Sequence, residues 1–148
     1  MPLTKNSLVV ATMAVVIATN AAAADPTDAA KGVAPLIGTW KCVSSKYDGA
    51  EVNRPEGFTH VKHVTPTHFM WAVYDKDGKV ASALGGSVVV KGDRYVETPE
   101  YWTGDGLDQL KGKPQEFTWK VDGKKWVHTG KLSSGLAIDE VWERVEKK

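Results

Sequence analysis

Leu36-Ile37-Gly38-Thr39-Trp40-Lys41-Cys42-Val43 is the stretch from which the fold can be predicted, and its counterpart near the other end of the chain is Glu140-Val141-Trp142-Glu143-Arg144-Val145. A Gly-x-Trp on a first strand and an arginine on a last strand suit a sheet that closes on itself, because those two strands then become neighbours. The guanidinium of Arg144 can then lie across the indole of Trp40. We therefore expect Gly38, Trp40 and Arg144 to join the two ends of a barrel.

Almost all of the chain after this stretch has the pattern of β-strands. The candidate strands are 36–45, 57–64, 68–75, 79–91, 94–102, 115–121, 124–132 and 136–146. Eight strands at short, regular spacing with turn residues between them indicate a sandwich or a barrel. Gly85-Gly86 favours the barrel, because a glycine pair lets one long strand bend between two neighbours. We predict an all-β, eight-stranded antiparallel up-and-down barrel with one short helical turn at 107–110.

The connections between strands predict that the two ends of this barrel differ. In an up-and-down order alternate connections lie at the same end, and three of these are very short: Thr65-Pro66-Thr67, Gly92-Asp93 and Asp122-Gly123. The connections 46–56 and 103–114 are long and belong to the opposite end. A ligand of such a barrel would enter at the end with the long loops.

The first part of the chain has the composition of a secretory signal. Within residues 1–24, Lys5 supplies the positive charge, an apolar run follows, and Ala22-Ala23-Ala24 forms a small-residue cleavage site. The apolar run is too short to span a bilayer. We expect cleavage after Ala24, export to the periplasm or the medium, a flexible segment over residues 25–35, and one barrel domain over residues 36–146.

Charge and cysteine content exclude several classes of function. The formal net charge of the 148-residue chain is +1, and removal of Lys5 with the leader brings it to about zero. Nucleic acids and anionic membranes select dense basic patches, so neither is an expected partner. Cys42 is the only cysteine, which leaves no internal disulfide and indicates a buried free thiol. The oligomeric state has no signal in the sequence.

The chain resembles bacterial secreted proteins with a lipocalin-like domain of unassigned role, of the calycin barrel group. The resembling pieces are Gly38-Thr39-Trp40-Lys41, Lys62-His63-Val64-Thr65-Pro66-Thr67-His68-Phe69, and Glu140-Val141-Trp142-Glu143-Arg144-Val145. The resemblance implies a cup that holds a small apolar or aromatic molecule. Glu140-Val141-Trp142 stands where fatty-acid-binding proteins carry an Arg-x-Tyr that captures a carboxylate, so the resemblance is to lipocalins rather than to those proteins.

The hairpin turns predict which side chains meet inside the barrel. If Asp122-Gly123 is a two-residue loop, Trp119 pairs with Trp126 and Phe117 pairs with His128. If residues 133–135 form a three-residue loop, His128 faces Glu140 and Trp126 faces Trp142. The same alternation places Trp40, Cys42 and Ser44 inside.

These registers predict a lumen with a tryptophan floor and a polar layer of His128, Glu140 and Ser44 above it. The floor would consist of Trp40, Trp119, Trp126 and Trp142. We predict that ligand contacts come from Phe117, Trp119, Trp126, His128, Glu140 and Trp142. Two alternatives stay open: a barrel enzyme that uses His128 and Glu140 as an acid–base pair for isomerisation or decarboxylation, and an envelope interaction protein whose barrel is filled by side chains.

The sequence assigns no catalytic residue, no metal and no cofactor. His60, His63 and His68 lie close together in the chain, but His60 and His63 would point to opposite faces of one strand. Zinc needs three or four converging ligands, and this spacing matches no metal-ligand pattern.

Overall fold

The computed structural model describes residues 32–146, which form a single closed sheet. The strands are β1 (Gly38–Tyr47), β2 (Ala50–Glu51), β3 (Thr59–Val64), β4 (His68–Tyr74), β5 (Val80–Lys91), β6 (Arg94–Thr103), β7 (Gln115–Asp122), β8 (Lys125–Lys131) and β9 (Ala137–Arg144). Two 3₁₀ turns lie at Ala34–Leu36 and Asp108–Leu110. The predicted signal at 1–24 lies outside the described residues. Within residues 32–146, no helix is both long and apolar enough to cross a membrane.

The order of the strands confirms the predicted eight-stranded antiparallel up-and-down barrel. Each strand from β3 to β9 pairs with the one before it in the order β1-β3-β4-β5-β6-β7-β8-β9, and β9 pairs with β1. The predicted helical turn at 107–110 is confirmed by the second 3₁₀ turn. The short strand β2 is an addition, because the chain folds back on the end of β1 within the connection that the sequence assigned to a loop.

Arg144 and Trp40 join the ends of the sheet as predicted. The two residues are directly paired across β1 and β9, and the guanidinium carbon lies 4.1 Å from the centre of the indole ring. The guanidinium also donates hydrogen bonds to the carbonyls of Ile37 at 2.8 Å and Pro35 at 2.6 Å. Gly38 has φ +137°, and a Cβ there would lie 2.8 Å from Arg144 Nη1. Glycine is therefore required to admit the arginine.

Gly85 and Gly86 form the predicted bend in β5. The pairing of β5 with β6 shifts by one residue between them, which is a β-bulge. A Cβ on Gly86 would overlap the carbonyl oxygen of Thr98 on the neighbouring strand. The bend therefore depends on the missing side chain.

The end of the barrel that carries Gly38 is closed, and we call it the closed end. The β3–β4, β5–β6 and β7–β8 turns all lie there, and the predicted Gly92-Asp93 turn is confirmed by the pairing of Lys91 with Arg94. A plug completes the closure: Val33 and Leu36 are buried, and Trp40 Nε1 donates to the Leu36 carbonyl at 2.8 Å. Residues 33–36 thus contact Arg144 and the barrel core, whereas the flexible segment predicted over 25–35 stays a prediction.

The lower part of the lumen is filled by aromatic side chains. Trp126 packs edge-on against Trp40 and against Tyr95, with 5.3 Å between ring centres in each pair. All three side chains are fully buried. This aromatic packing is the main hydrophobic core of the fold.

The registers of the last two hairpins decide what faces this core. The predicted facing of His128 with Glu140 and of Trp126 with Trp142 is confirmed. The predicted β7–β8 register is wrong: the turn residues are Gly123 and Lys124, so Trp119 pairs with His128 and Phe117 pairs with Gly130. The error is a slip of two residues, which leaves every side chain on its predicted face.

A double-mutant cycle tests the closure. We expect Trp40→Ala to lower the free energy of unfolding by roughly 3–5 kcal/mol, as large-to-small core changes do, and Arg144→Ala to lower it by less. The double variant should lose less than the sum, because both residues share one contact. Denaturant melts would measure this.

Lys76→Ala, at an exposed turn on the opposite end of the barrel, serves as the control and should combine additively with Trp40→Ala. Additive losses for the Trp40 and Arg144 changes would contradict the closing role of this pair.

Candidate functional site

A cavity of about 290 Å³ occupies the upper half of the lumen. It opens at the end opposite the closed end, which we call the mouth. Residues from three of the mouth connections form its apolar upper wall together with Ile138: Val52, Leu107, Leu110, Leu132 and Leu136. Its floor is polar and consists of His60, Lys62, Glu97, His128 and Glu140 beside Trp142. The barrel is therefore neither an open tube nor a completely filled core.

The structure brings four of the six predicted ligand contacts to this cavity. Phe117, His128, Glu140 and Trp142 line it. Trp126 lies below the floor, packed against Trp40. Trp119 does not line the cavity. The first residue of β6, Arg94, pairs with Thr118, so Trp119 lies beyond the end of β6. The Nε1 of Trp119 donates to the Gly92 carbonyl at 3.2 Å. Whether the four cavity residues bind a ligand stays a prediction.

Glu140 is the centre of the polar floor. Its two oxygens accept hydrogen bonds from Tyr47 Oη at 3.2 Å and Trp142 Nε1 at 3.1 Å. His128 Nδ1 lies 3.5 Å from Oε2, which is long for a hydrogen bond. Burial alone would raise the pKa of Glu140, but its contacts with His128 and the charge of Lys62 lower it to about 2. Glu140 is therefore ionised, whereas burial and Lys62 lower the pKa of His128 and keep that ring neutral.

The predicted place of Ser44 in the polar layer is wrong. The pairing of β1 with β9 shifts between Cys42 and Ser44, so a β-bulge turns Ser44 outward and Ser45 inward. Cys42 remains inside as a buried free thiol, as predicted, and burial raises its pKa. Nothing in the alternation of β1 marks where the extra residue enters.

The sequence gives no warning of the buried ion pair between Lys62 and Glu97. The ammonium and the carboxylate are 2.8 Å apart, and Lys62 is 2% exposed. Lys62 Nζ also lies 4.9 Å from the ring centre of Trp142 and 5.2 Å from that of Trp126. The pair was missed because β3 carries polar residues on both faces, so alternation does not say which face is buried.

The three clustered histidines separate in the fold. His63 and His68 are exposed on the outer face and hydrogen-bond to Thr39 and Thr67. His60 points inward, where its Nδ1 lies 2.9 Å from Arg54 Nη2; the same Nη2 donates to Ser45 Oγ at 3.0 Å. Burial lowers the pKa of His60 to about 3, and the positive charges of Arg54 and Lys62 act in the same direction.

No protein-family model and no curated protein matches the chain. Among solved structures, the chain is similar to a redesigned β-barrel at 18% identity, over 78% of this chain and 96% of that one, with a TM-score of 0.49. It is also similar to a de novo designed fluorescence-activating β-barrel at 20% identity, over 80% and 98% of the two chains, with a TM-score of 0.45. The likeness concerns the barrel and carries no information about a ligand.

The buried imidazoles predict an acid-sensitive fold. In the unfolded chain a histidine takes up a proton as the pH falls through about 6.5, whereas His60 in the fold stays neutral down to about 3. The unfolded state therefore binds more protons between these values, and the free energy of unfolding falls as the pH is lowered through this window, by at most about 1.4 kcal/mol per pH unit for each group.

Denaturant melts between about pH 7.5 and pH 5.5 isolate this effect, because Glu140 in the unfolded chain takes up its proton only below about pH 5.5. We expect His60→Phe to flatten the pH dependence. His63→Phe, a matched change on the outer face of the same strand, should leave it unchanged. An equal slope in the protein and in His60→Phe would show that His60 makes no such contribution.

Proposed function

We propose that this chain is a lipocalin-like barrel that binds one small, largely apolar molecule in its lumen. The observation that carries the proposal is the cavity of about 290 Å³ with an apolar wall, a polar floor and an opening at the mouth. Pockets for small molecules are concave and mostly apolar, with a few placed polar groups. The closure by Gly38, Trp40 and Arg144 supports the lipocalin-like assignment.

The geometry of the floor supports binding more than acid–base catalysis. His128 with a lowered pKa is a weak general base at neutral pH, and Glu140 with a pKa of about 2 is weaker still. Catalytic groups of this kind work best with pKa values near the operating pH. Glu140 instead accepts hydrogen bonds from Tyr47 and Trp142, which are the contacts of an oriented structural acceptor.

We also propose that the protein is exported after removal of residues 1–24, on the basis of the composition of that segment alone. Intact-mass measurement of the protein recovered from the medium or the periplasm should give a chain that begins at Asp25. A recovered chain that retains Met1 or another part of the leader would contradict the proposed cleavage site.

Titration with an apolar fluorescent probe tests the binding function. We expect saturable binding with about one site per chain. Ile138→Trp adds bulk to the cavity wall and should weaken the binding about fivefold or more, since overpacking costs roughly 1–3 kcal/mol. Probe emission is the readout, because the variant changes the tryptophan content.

Val127→Trp is the matched control. Val127 pairs with Val141 on the outer face and is 39% exposed, so the same bulk there does not enter the lumen. Its affinity for the probe should equal that of the unchanged protein. If no apolar probe of one- or two-ring size binds saturably, the proposed function is wrong.

A further inference from the structure

Two buried imidazoles at the floor of the cavity carry ring nitrogens that no protein group hydrogen-bonds: Nε2 of His60, and both nitrogens of His128, whose Nδ1 has only the 3.5 Å approach of Glu140. His60 and His128 are 6% and 1% exposed, and Nε2 of each has no hydrogen-bond partner among residues 32–146. Both side chains line the cavity. Buried polar atoms are normally hydrogen-bonded, so a ligand that fills the cavity gains by supplying the partners.

The neighbours of His60 decide what its Nε2 can do. Arg54 Nη2 lies 2.9 Å from His60 Nδ1, and a guanidinium can only donate a hydrogen bond. Nδ1 must therefore be the acceptor, and the proton of this neutral ring lies on Nε2. His60 thus offers the cavity one N–H donor.

The neighbours of His128 lead to the opposite result. Its Nδ1 lies 3.5 Å from Oε2 of Glu140, which is ionised and can only accept. The carboxylate therefore favours the proton on Nδ1, which leaves a lone pair on Nε2. His128 thus offers the cavity one acceptor.

The charges around these imidazoles are balanced without a ligand. Lys62 is paired with Glu97 at 2.8 Å, and the remaining cation and anion that line the cavity are Arg54 and Glu140. A charged group buried at the floor would have no countercharge left to neutralise it, and burial of an unpaired charge is strongly unfavourable. The polar end of a ligand should therefore be uncharged.

The volume of the cavity limits the size of the ligand. An apolar cavity of about 150 Å³ holds benzene, and this cavity of about 290 Å³ is about twice as large. A molecule of two fused rings is therefore the expected scale.

We propose, on the basis of the binding function above, that the barrel selects an uncharged, apolar molecule of about two-ring size that carries a hydroxyl group. A hydroxyl can accept a hydrogen bond from His60 Nε2–H and donate one to His128 Nε2. A ligand that packs against these two nitrogens without pairing them leaves a buried donor and a buried acceptor unsatisfied and binds less tightly. The hydroxyl therefore sets the preference, and the apolar rings supply most of the contact with the wall.

Four naphthalenes that differ in one substituent test the proposal at pH 7. We expect 2-naphthol to bind about 10- to 100-fold more tightly than 2-methylnaphthalene, the range for two unmade hydrogen bonds. 2-Methoxynaphthalene, which only accepts, should lie between them. 2-Naphthoate should bind no more tightly than 2-methylnaphthalene. Isothermal titration or competition with a fluorescent probe measures the four dissociation constants.

Two variants assign the hydrogen bonds. In each variant the affinities of two ligands are compared as a ratio, so a change in the cavity that affects both ligands equally does not alter the result. His128→Phe removes the acceptor and should abolish the preference for 2-naphthol over 2-methoxynaphthalene. His60→Phe removes the donor and should abolish the preference for 2-methoxynaphthalene over 2-methylnaphthalene. His63→Phe, on the outer face of the same strand as His60, should leave all ratios unchanged.

The outcomes separate this inference from the proposed function. Equal binding of 2-naphthol and 2-methylnaphthalene, tightest binding of 2-naphthoate, or preferences that survive in both histidine variants would overturn the hydroxyl class and leave lumen binding intact. Failure of all four compounds to bind, in a protein shown by its melting curve to be folded, would overturn both.

Discussion

The contact between Arg144 and Trp40 is the constraint on which the barrel depends. A sheet of eight strands closes only if its first and last strands meet in one register, and this contact lies at a directly paired position of β1 and β9. The same guanidinium ties down Ile37 and Pro35, so it also holds the plug that seals the closed end. The closing register of the sheet and the position of the plug therefore depend on one arginine and the glycine that makes room for it.

The sequence predicted the features that depend on neighbouring residues. The strands, the bend at Gly85-Gly86 and the facing of His128 with Glu140 are properties of alternation and of short turns, and all are confirmed. The β7–β8 turn was misplaced because Asp122-Gly123 and Gly123-Lys124 both contain the glycine that a tight turn needs.

The features that the sequence did not predict depend on distant parts of the chain. The β-bulge in β1 places Ser45 rather than Ser44 inside the barrel, and its position depends on the pairing of β1 with β9. Lys62 pairs with Glu97 across the interior, because Glu97 lies on a strand that is not adjacent to β3. This pairing therefore depends on the distance across the closed barrel. Likewise the contact of Arg54 with His60 depends on how a mouth loop folds inward. Three of the five polar floor residues, His60, Lys62 and Glu97, could therefore not be predicted from local sequence pattern.

The ion pair between Lys62 and Glu97 has a mechanical consequence. β3 and β6 are separated by two strands, so the ion pair crosses the interior of the barrel instead of joining adjacent strands. Shortening it is opposed by contact between the two charged groups, and lengthening it would separate two buried charges from each other. The pair thereby fixes the width of the barrel at this level, so a ligand of the proposed class would bind with little rearrangement of the wall.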